Sequence, residues 1–162
     1  TNAPDFNKDA SGVFFGLRTG HDPYDCALAI MRGVACLLRK NIEHFAASGI
    51  HADRIISTGG GAKSKFWSQL KANFTGRKVA IPENEEAPCL GAAIIGAVSS
   101  GLYPSFEDAI SASVKMKEEY SPSRDRKRYN DDYALFEQIY QDLQPSFAMH
   151  TQLRSSSRDE GR

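Results

Sequence analysis

The spacing of apolar positions along the chain predicts helices alternating with short strands. Tyr24, Leu28, Met31, Ala35, Leu38, Ile42 and Phe45 recur at steps of three and four, the period at which side chains share one helix face. Asp22 precedes this run, Pro23 opens it and Gly49 follows it; these residue types start and stop helices. The prediction is one long helix, with Asp25 in the first turn, where the helix dipole favours negative charge. "RIIST", residues 54–58, is short and β-branched and reads as a strand. A second helix is predicted over residues 62–75, with Phe66, Trp67, Leu70 and Phe74 on one side and Gly76 as its stop. "KVAIP", residues 78–82, reads as another strand, and "APCLGAAIIGAVSSG" as a helix of small residues ending at Gly101. Ser105 caps a short helix from Phe106. "VKMKEEYSP" fits neither period. A last helix over residues 125–143 carries Tyr129, Tyr133, Phe136, Tyr140 and Leu143 at steps of four and three, and Pro145 ends it.

The remaining stretches are irregular. "TNAPDFNKDASG" is polar and reads as loop, and "GVFFGL" as a strand or a buried loop. The tail "TQLRSSSRDEGR" has nothing to bury and is expected to be disordered. The division is therefore a loop-like start over 1–12, one lobe over 13–148, and a disordered tail over 149–162. Strands alternating with helices predict an α/β fold, helix-rich with few strands and with some parallel pairing. Two or three strands are too few for a self-sufficient sheet. With Thr1 in place of Met, the expectation is a piece of a longer protein whose lobe is incomplete on its N-terminal side.

Charge and composition narrow the partners. Twenty basic residues balance twenty acidic ones, which removes the electrostatic case for a nucleic acid or an anionic membrane. No apolar run approaches the ~18 residues that span a bilayer, and the start carries no targeting pattern. Cys26, Cys36 and Cys89 are odd in number and far apart, with no CxxC spacing. They read as small buried hydrophobes in a reducing compartment, so the expected location is cytoplasmic.

The candidate chemistry sits in "STGGGAKSKFW". A strand-to-helix turn leaves N–H groups unpaired at the helix start, and these favour a phosphate. Glycine lets a ligand approach the backbone with no Cβ in the way. The turn therefore reads either as a nucleotide contact or simply as a tight reversal of direction. A P-loop is rejected, because aligning Lys63 and Ser64 puts Ala62 and Ser57 where glycines belong. A dinucleotide fingerprint is rejected too, because Ser64 replaces its third glycine. Gly91, Ala92, Ala93 and Gly96 form a helix side with little bulk, suited to close packing against the glycine-turn strand or its helix. Glu85 and Glu86 stand at that helix start and read as caps, not as an acid–base pair. The histidines are scattered, and nothing pairs them with a nucleophile.

"KDASGVFFGL", "RGVACLLRKNIE" and "ISTGGGAKSKFWSQLKANFTGRKVAIPENEEAPCLGAAIIGAVSSGLYPSFEDA" follow in this order. Together they resemble the C-terminal domain of the FGGY carbohydrate kinases, over about residues 9 to 145. The likeness is greatest to members that act on D-xylulose, though the motifs are far more specific for the family than for the sugar; a kinase of ribulose, gluconate, glycerol or a deoxysugar, or a non-catalytic actin-like nucleotide-binding module, is the alternative. The resemblance implies part of an actin-like (ribonuclease H-like) ATPase lobe that contributes the adenosine part of an ATP site. Carried over by position, Gly60, Gly61 and Ala62 line adenine and ribose, and Ser64 and Lys65 lie near the ribose or α-phosphate. It also implies ATP and Mg²⁺ as cofactors and a small sugar as substrate. The catalytic aspartate is expected in an N-terminal lobe outside this sequence, so the 162 residues by themselves are expected to be inactive. A homodimer stays open, since nothing in the sequence marks oligomeric state.

Overall fold

The computed structural model describes residues 4–84 and 86–159. In chain order the elements are α1 (Pro23–Ala47), β1 (Arg54–Ile56), a 3₁₀ turn (Gly60–Ala62), α2 (Lys65–Thr75), β2 (Lys78–Pro82), α3 (Ala87–Ser99), α4 (Phe106–Ser113), β3 (Met116–Tyr120), α5 (Lys127–Asp142) and α6 (Gln144–Asp159). Two compact units result: one from both ends of the chain, up to His51 and from Asp125 on, and one from Ala52–Arg124. Among the described residues no helix is long and apolar enough to cross a membrane.

The Ala52–Arg124 unit carries the sheet, in the order β1-β2-β3. β1 pairs parallel with β2, Arg54 opposite Lys78 and Ile56 opposite Ala80. A parallel pair needs a crossover, and α2 supplies it. The hydroxyl of Ser64 caps α2 by accepting from the Trp67 N–H at 3.2 Å, and Gly76 closes it at φ 67°. The helix therefore starts at Lys65 rather than at Ala62, which belongs to the 3₁₀ turn. Phe74, Val79, Ala80 and Leu70 form the buried core between α2 and the sheet. The stretch that fitted neither period is β3, antiparallel to β2 with Val79 opposite Tyr120. What alternates along it is exposure, Met116, Glu118 and Tyr120 being half-buried and Lys117 and Glu119 exposed, and ion pairs from Lys78 to Glu119 at 2.7 Å and from Lys65 to Glu118 at 3.5 Å hold it.

α3 departs from its expected packing. Only Ile94 is buried, and α3 lies against α4. Added Cβ atoms at Gly91 and Gly96 would meet nothing within 4 Å. A face of hydrogens and methyls offers little to interlock, and the helix packs through its larger residue instead. Glu86 stands at the N-cap without a side-chain capping bond, so its expected capping role is not met, and Glu85 lies outside the described residues.

The other unit is helical. Asp22 and Asp25 form a capping box at the start of α1: Asp22 Oδ1 accepts from the N–H groups of Tyr24 and Asp25, and Asp25 Oδ2 accepts from the Asp22 N–H at 3.1 Å. Of α1, only Ala35 and Cys36 are buried. Tyr24, Val34 and Phe45 are exposed, since this unit has no strand among its described residues to lay over the stripe. "GVFFGL" is an exposed irregular segment, neither strand nor buried. Pro145 ends α5 but also sits in the first turn of α6, where its missing N–H costs nothing. α6 runs on to Asp159, where a disordered tail was expected from 149; residues 151–155 on it are exposed, as a tail with nothing to bury must be. The last three residues of that tail and the first three of the loop-like start lie outside the described residues.

α1 meets α5 through charges. Lys40 Nζ lies between Asp5 Oδ2 at 2.9 Å and Glu137 Oε2 at 3.1 Å, 4.7 Å over the Tyr140 ring, with its side chain 14% exposed. Next to it in α1, Arg39 stacks 4.1 Å over Tyr133, whose hydroxyl donates to Glu43 at 2.8 Å. Burial pushes the Cys36 thiol up to about 12, which leaves it inert. At Lys40 burial disfavours the charge, but hydrogen bonds to Asp5 and Glu137 outweigh it and raise its pKa above 10.5. A raised lysine pKa stabilises the fold fully below the unfolded value, and that contribution is lost as pH climbs past the folded one. Lys40→Met is expected to cost about 1.5–3 kcal/mol in denaturant unfolding at pH 7, because it strands two carboxylates. Adding Glu137→Gln to it is expected to recover part of the loss.

Candidate active site

The site grows from the end of β1. The N–H of Ser57 donates to Ala80 O at 2.9 Å, which keeps the chain beside β2 for one residue after β1 ends. Gly59 then turns it at φ 74°, ψ −167°, a region that is essentially closed to residues with a Cβ. The N–H groups of Ala62 and Lys63 donate back to the carbonyls of Gly59 and Gly60 at 3.0 and 3.2 Å. Gly60 and Gly61 have no such backbone requirement. A Cβ on Gly60 would meet nothing within 4 Å, and one on Gly61 would rest 3.6 Å from the Trp67 ring, an ordinary contact. The fold thus demands glycine once in the triplet.

Beside this turn opens a cavity of about 240 Å³, walled by Gly59, Ala62 and Lys65 on one side and by Ile81, Glu118 and Tyr120 of β2 and β3 on the other. Lys63, Lys65 and Lys117 stand around it, and Glu118 is its one acidic lining residue. The Tyr120 hydroxyl donates to the Glu118 carboxylate; this bond first, and Lys65 after it, holds Glu118 below the usual carboxylate range. The first turn of α2 carries Lys65 and no acidic residue, so the positive end of the helix dipole is not neutralised from within. Behind the turn, Lys71 reaches Ser57 Oγ at 2.8 Å and lies 5.5 Å from the centre of the Trp67 ring. Burial lowers its pKa from 10.5.

The residues expected from sequence divide three ways. Ala62 and Lys65 line the cavity. Gly60 and Gly61 lie in the same turn but not on the cavity wall. The Ser64 hydroxyl is engaged as the cap of α2. Sequence reasoning missed Ser57, Glu118, Tyr120 and Lys71. The available signal was Lys71, a charge four residues after Trp67 on an otherwise apolar helix side. Among the described residues no group of three His, Cys, Asp or Glu could hold a metal ion. Gly59→Ala is expected to destabilise the protein by about 1–3 kcal/mol, while Gly60→Ala stays within ~0.5 kcal/mol of wild type. Denaturant unfolding of both variants checks this, and equal costs would move the conformational demand elsewhere.

The family model described as the FGGY family of carbohydrate kinases, C-terminal domain, matches residues 1–100. A xylulose kinase from Staphylococcus epidermidis is 32% identical over 138 residues, which is 85% of this chain and 28% of that protein. An autoinducer-2 kinase from Salmonella choleraesuis is 33% identical over 128 residues, 75% of this chain and 24% of that protein. The crystal structure of a xylulose kinase from Rhodospirillum rubrum superposes with a TM-score of 0.77 at 27% identity, covering 86% of this chain and 28% of the other. The chain thus spans less than a third of the length of these relatives.

Proposed function

The chain belongs to the FGGY family of carbohydrate kinases, and on that premise we propose that the full-length protein moves the γ-phosphate of ATP to a hydroxyl of D-xylulose, with the glycine turn as part of the adenosine site. Its fold is the family's, a helix-rich part of an actin-like ATPase lobe. The observation that carries the nucleotide reading is the surplus of glycine. Gly60 and Gly61 are bare although neither backbone angle nor packing requires it, and a ligand lying close to the main chain would. The rim of lysines and the open helix start suit the charge of a polyphosphate.

In this reading the turn and cavity bind and orient the nucleotide, with Gly60, Gly61 and Ala62 towards the nucleoside and Ser64 and Lys65 towards the ribose or α-phosphate. Phosphoryl transfer rests on positioning and charge neutralisation, to which Mg²⁺ on the phosphates contributes. The sugar oxygen attacks the γ-phosphorus, ADP leaves, and a carboxylate outside these residues accepts the hydroxyl proton. The cavity is smaller than the ~300 Å³ at which complete ligand pockets begin, which fits one wall of a cleft. The three free thiols suit the reducing cytoplasm, which we take as the setting.

D-xylulose is favoured among the sugars by the xylulose kinase relatives; the autoinducer-2 kinase keeps other phosphate acceptors in the comparison. The full-length protein, assayed with ATP against a sugar panel, is expected to turn over D-xylulose best, and residues 1–162 alone to turn over none. Gly60→Val is expected to raise the KM for ATP about tenfold with kcat and the sugar KM little changed. An unaltered KM for ATP would take the turn out of the site.

A further inference from the structure

Ser57 is fixed at three points. Its N–H is bound to Ala80 O, it lines the cavity beside the glycine turn, and its Oγ lies 2.8 Å from Lys71 Nζ. The partner decides what the hydroxyl can do. A lysine ammonium has three protons to donate and no lone pair, so Ser57 Oγ must be the acceptor in this contact. The hydroxyl proton is therefore left over for a further acceptor. Lys71 in turn has no carboxylate in reach; its surroundings are Ser57 and the Trp67 ring. That ring is the one a Cβ on Gly61 would meet at 3.6 Å. One half-buried lysine thus ties the residue leading into the turn to the side chain beneath the end of the turn.

We propose that Ser57 donates a hydrogen bond to an oxygen of the nucleotide bound in this cavity, and that Lys71 is the positioning residue that fixes the direction of that bond. The proposal rests on the nucleotide reading above and adds a specific contact to it. The ammonium draws electron density from Oγ and makes the remaining O–H a stronger donor, as linked hydrogen bonds polarise one another. The ligand atom it selects is an acceptor, so a nucleotide presenting a donor there is disfavoured, because Ser57 would then stay unpaired.

The test uses the full-length protein, with ATP titrated calorimetrically and steady-state kinetics run on wild type, Ser57→Ala, Ser57→Thr, Lys71→Met and the Ser57→Ala/Lys71→Met double variant. Loss of one neutral hydrogen bond corresponds to about a 5- to 10-fold weaker ATP complex in Ser57→Ala. The change is expected in the KM for ATP, with kcat and the sugar KM held within about twofold. Ser57→Thr keeps a hydroxyl and is expected to bind like wild type. Lys71→Met is expected to match Ser57→Ala, and the double variant to be no worse than either, because the pair acts as one unit. If Lys71→Met does not fold, the Ala and Thr variants of Ser57 decide alone. Wild-type affinity in Ser57→Ala, or an equal loss in Ser57→Thr, overturns the proposal and leaves the nucleotide reading standing. A wild-type protein that binds no ATP overturns both.

Discussion

The parallel pairing of β1 with β2 is the constraint on which the site depends. Two parallel strands end on the same edge of a sheet, and the chain between them must cross over. Arg54 to Ile56 pair in register with Lys78 to Ala80, so the turn that leaves β1 and the residues that leave β2 are neighbours in space though far apart in sequence. Ligands in open α/β sheets gather at this carboxyl edge. The cavity lies there, between the glycine turn on one side and Ile81 with β3 on the other. The antiparallel β3 brings Glu118 and Tyr120 back along β2, adding to that edge the acid that balances its lysines.

The three glycines then have separate reasons. Gly59 is a requirement of the chain itself, since its backbone angles exclude a side chain. Gly60 and Gly61 are permissions, places where the fold would accept a methyl group. This distinction is what turns a weak motif into an argument. A triplet of glycines read only as letters is compatible with a tight turn, because a tight turn needs one. Two further bare positions exceed that need, and close approach of something outside the described chain is the physical use of such bareness.

Much of the fold was legible because its signals are local. Asp22, Pro23 and Asp25 start α1, Ser105 starts α4, and Gly76 stops α2, each through hydrogen bonds or backbone angles within a turn of the residue concerned. What escaped is non-local. β3 reads Met-Lys-Glu-Glu-Tyr, with no apolar period, and is a strand because β2 pairs it and Lys78 and Lys65 neutralise it. Pro145 looks like a stop and is also a start, which depends on α5 ending just before it. The smooth side of α3 invited close packing that the unit does not supply. In the site the same division holds: the turn was visible in sequence, while Ser57 and Lys71, fourteen residues apart, are joined only once α2 folds back onto the sheet.

The nucleotide wall proposed here would account for relatives that carry different substrate names. Recognition through bare main chain, a helix start and one oriented hydroxyl reads features that ATP has in every reaction it serves. None of these groups is selected by the acceptor of the phosphate. A xylulose kinase and an autoinducer-2 kinase match this chain to nearly the same degree, as a shared donor wall would require. The likeness shows the family and does not single out a sugar. Substrate choice belongs to residues that touch the accepting hydroxyl and its neighbours. A cleft with separate donor and acceptor walls lets the second change while the first stays fixed, as transition-state positioning requires only that the two meet in line.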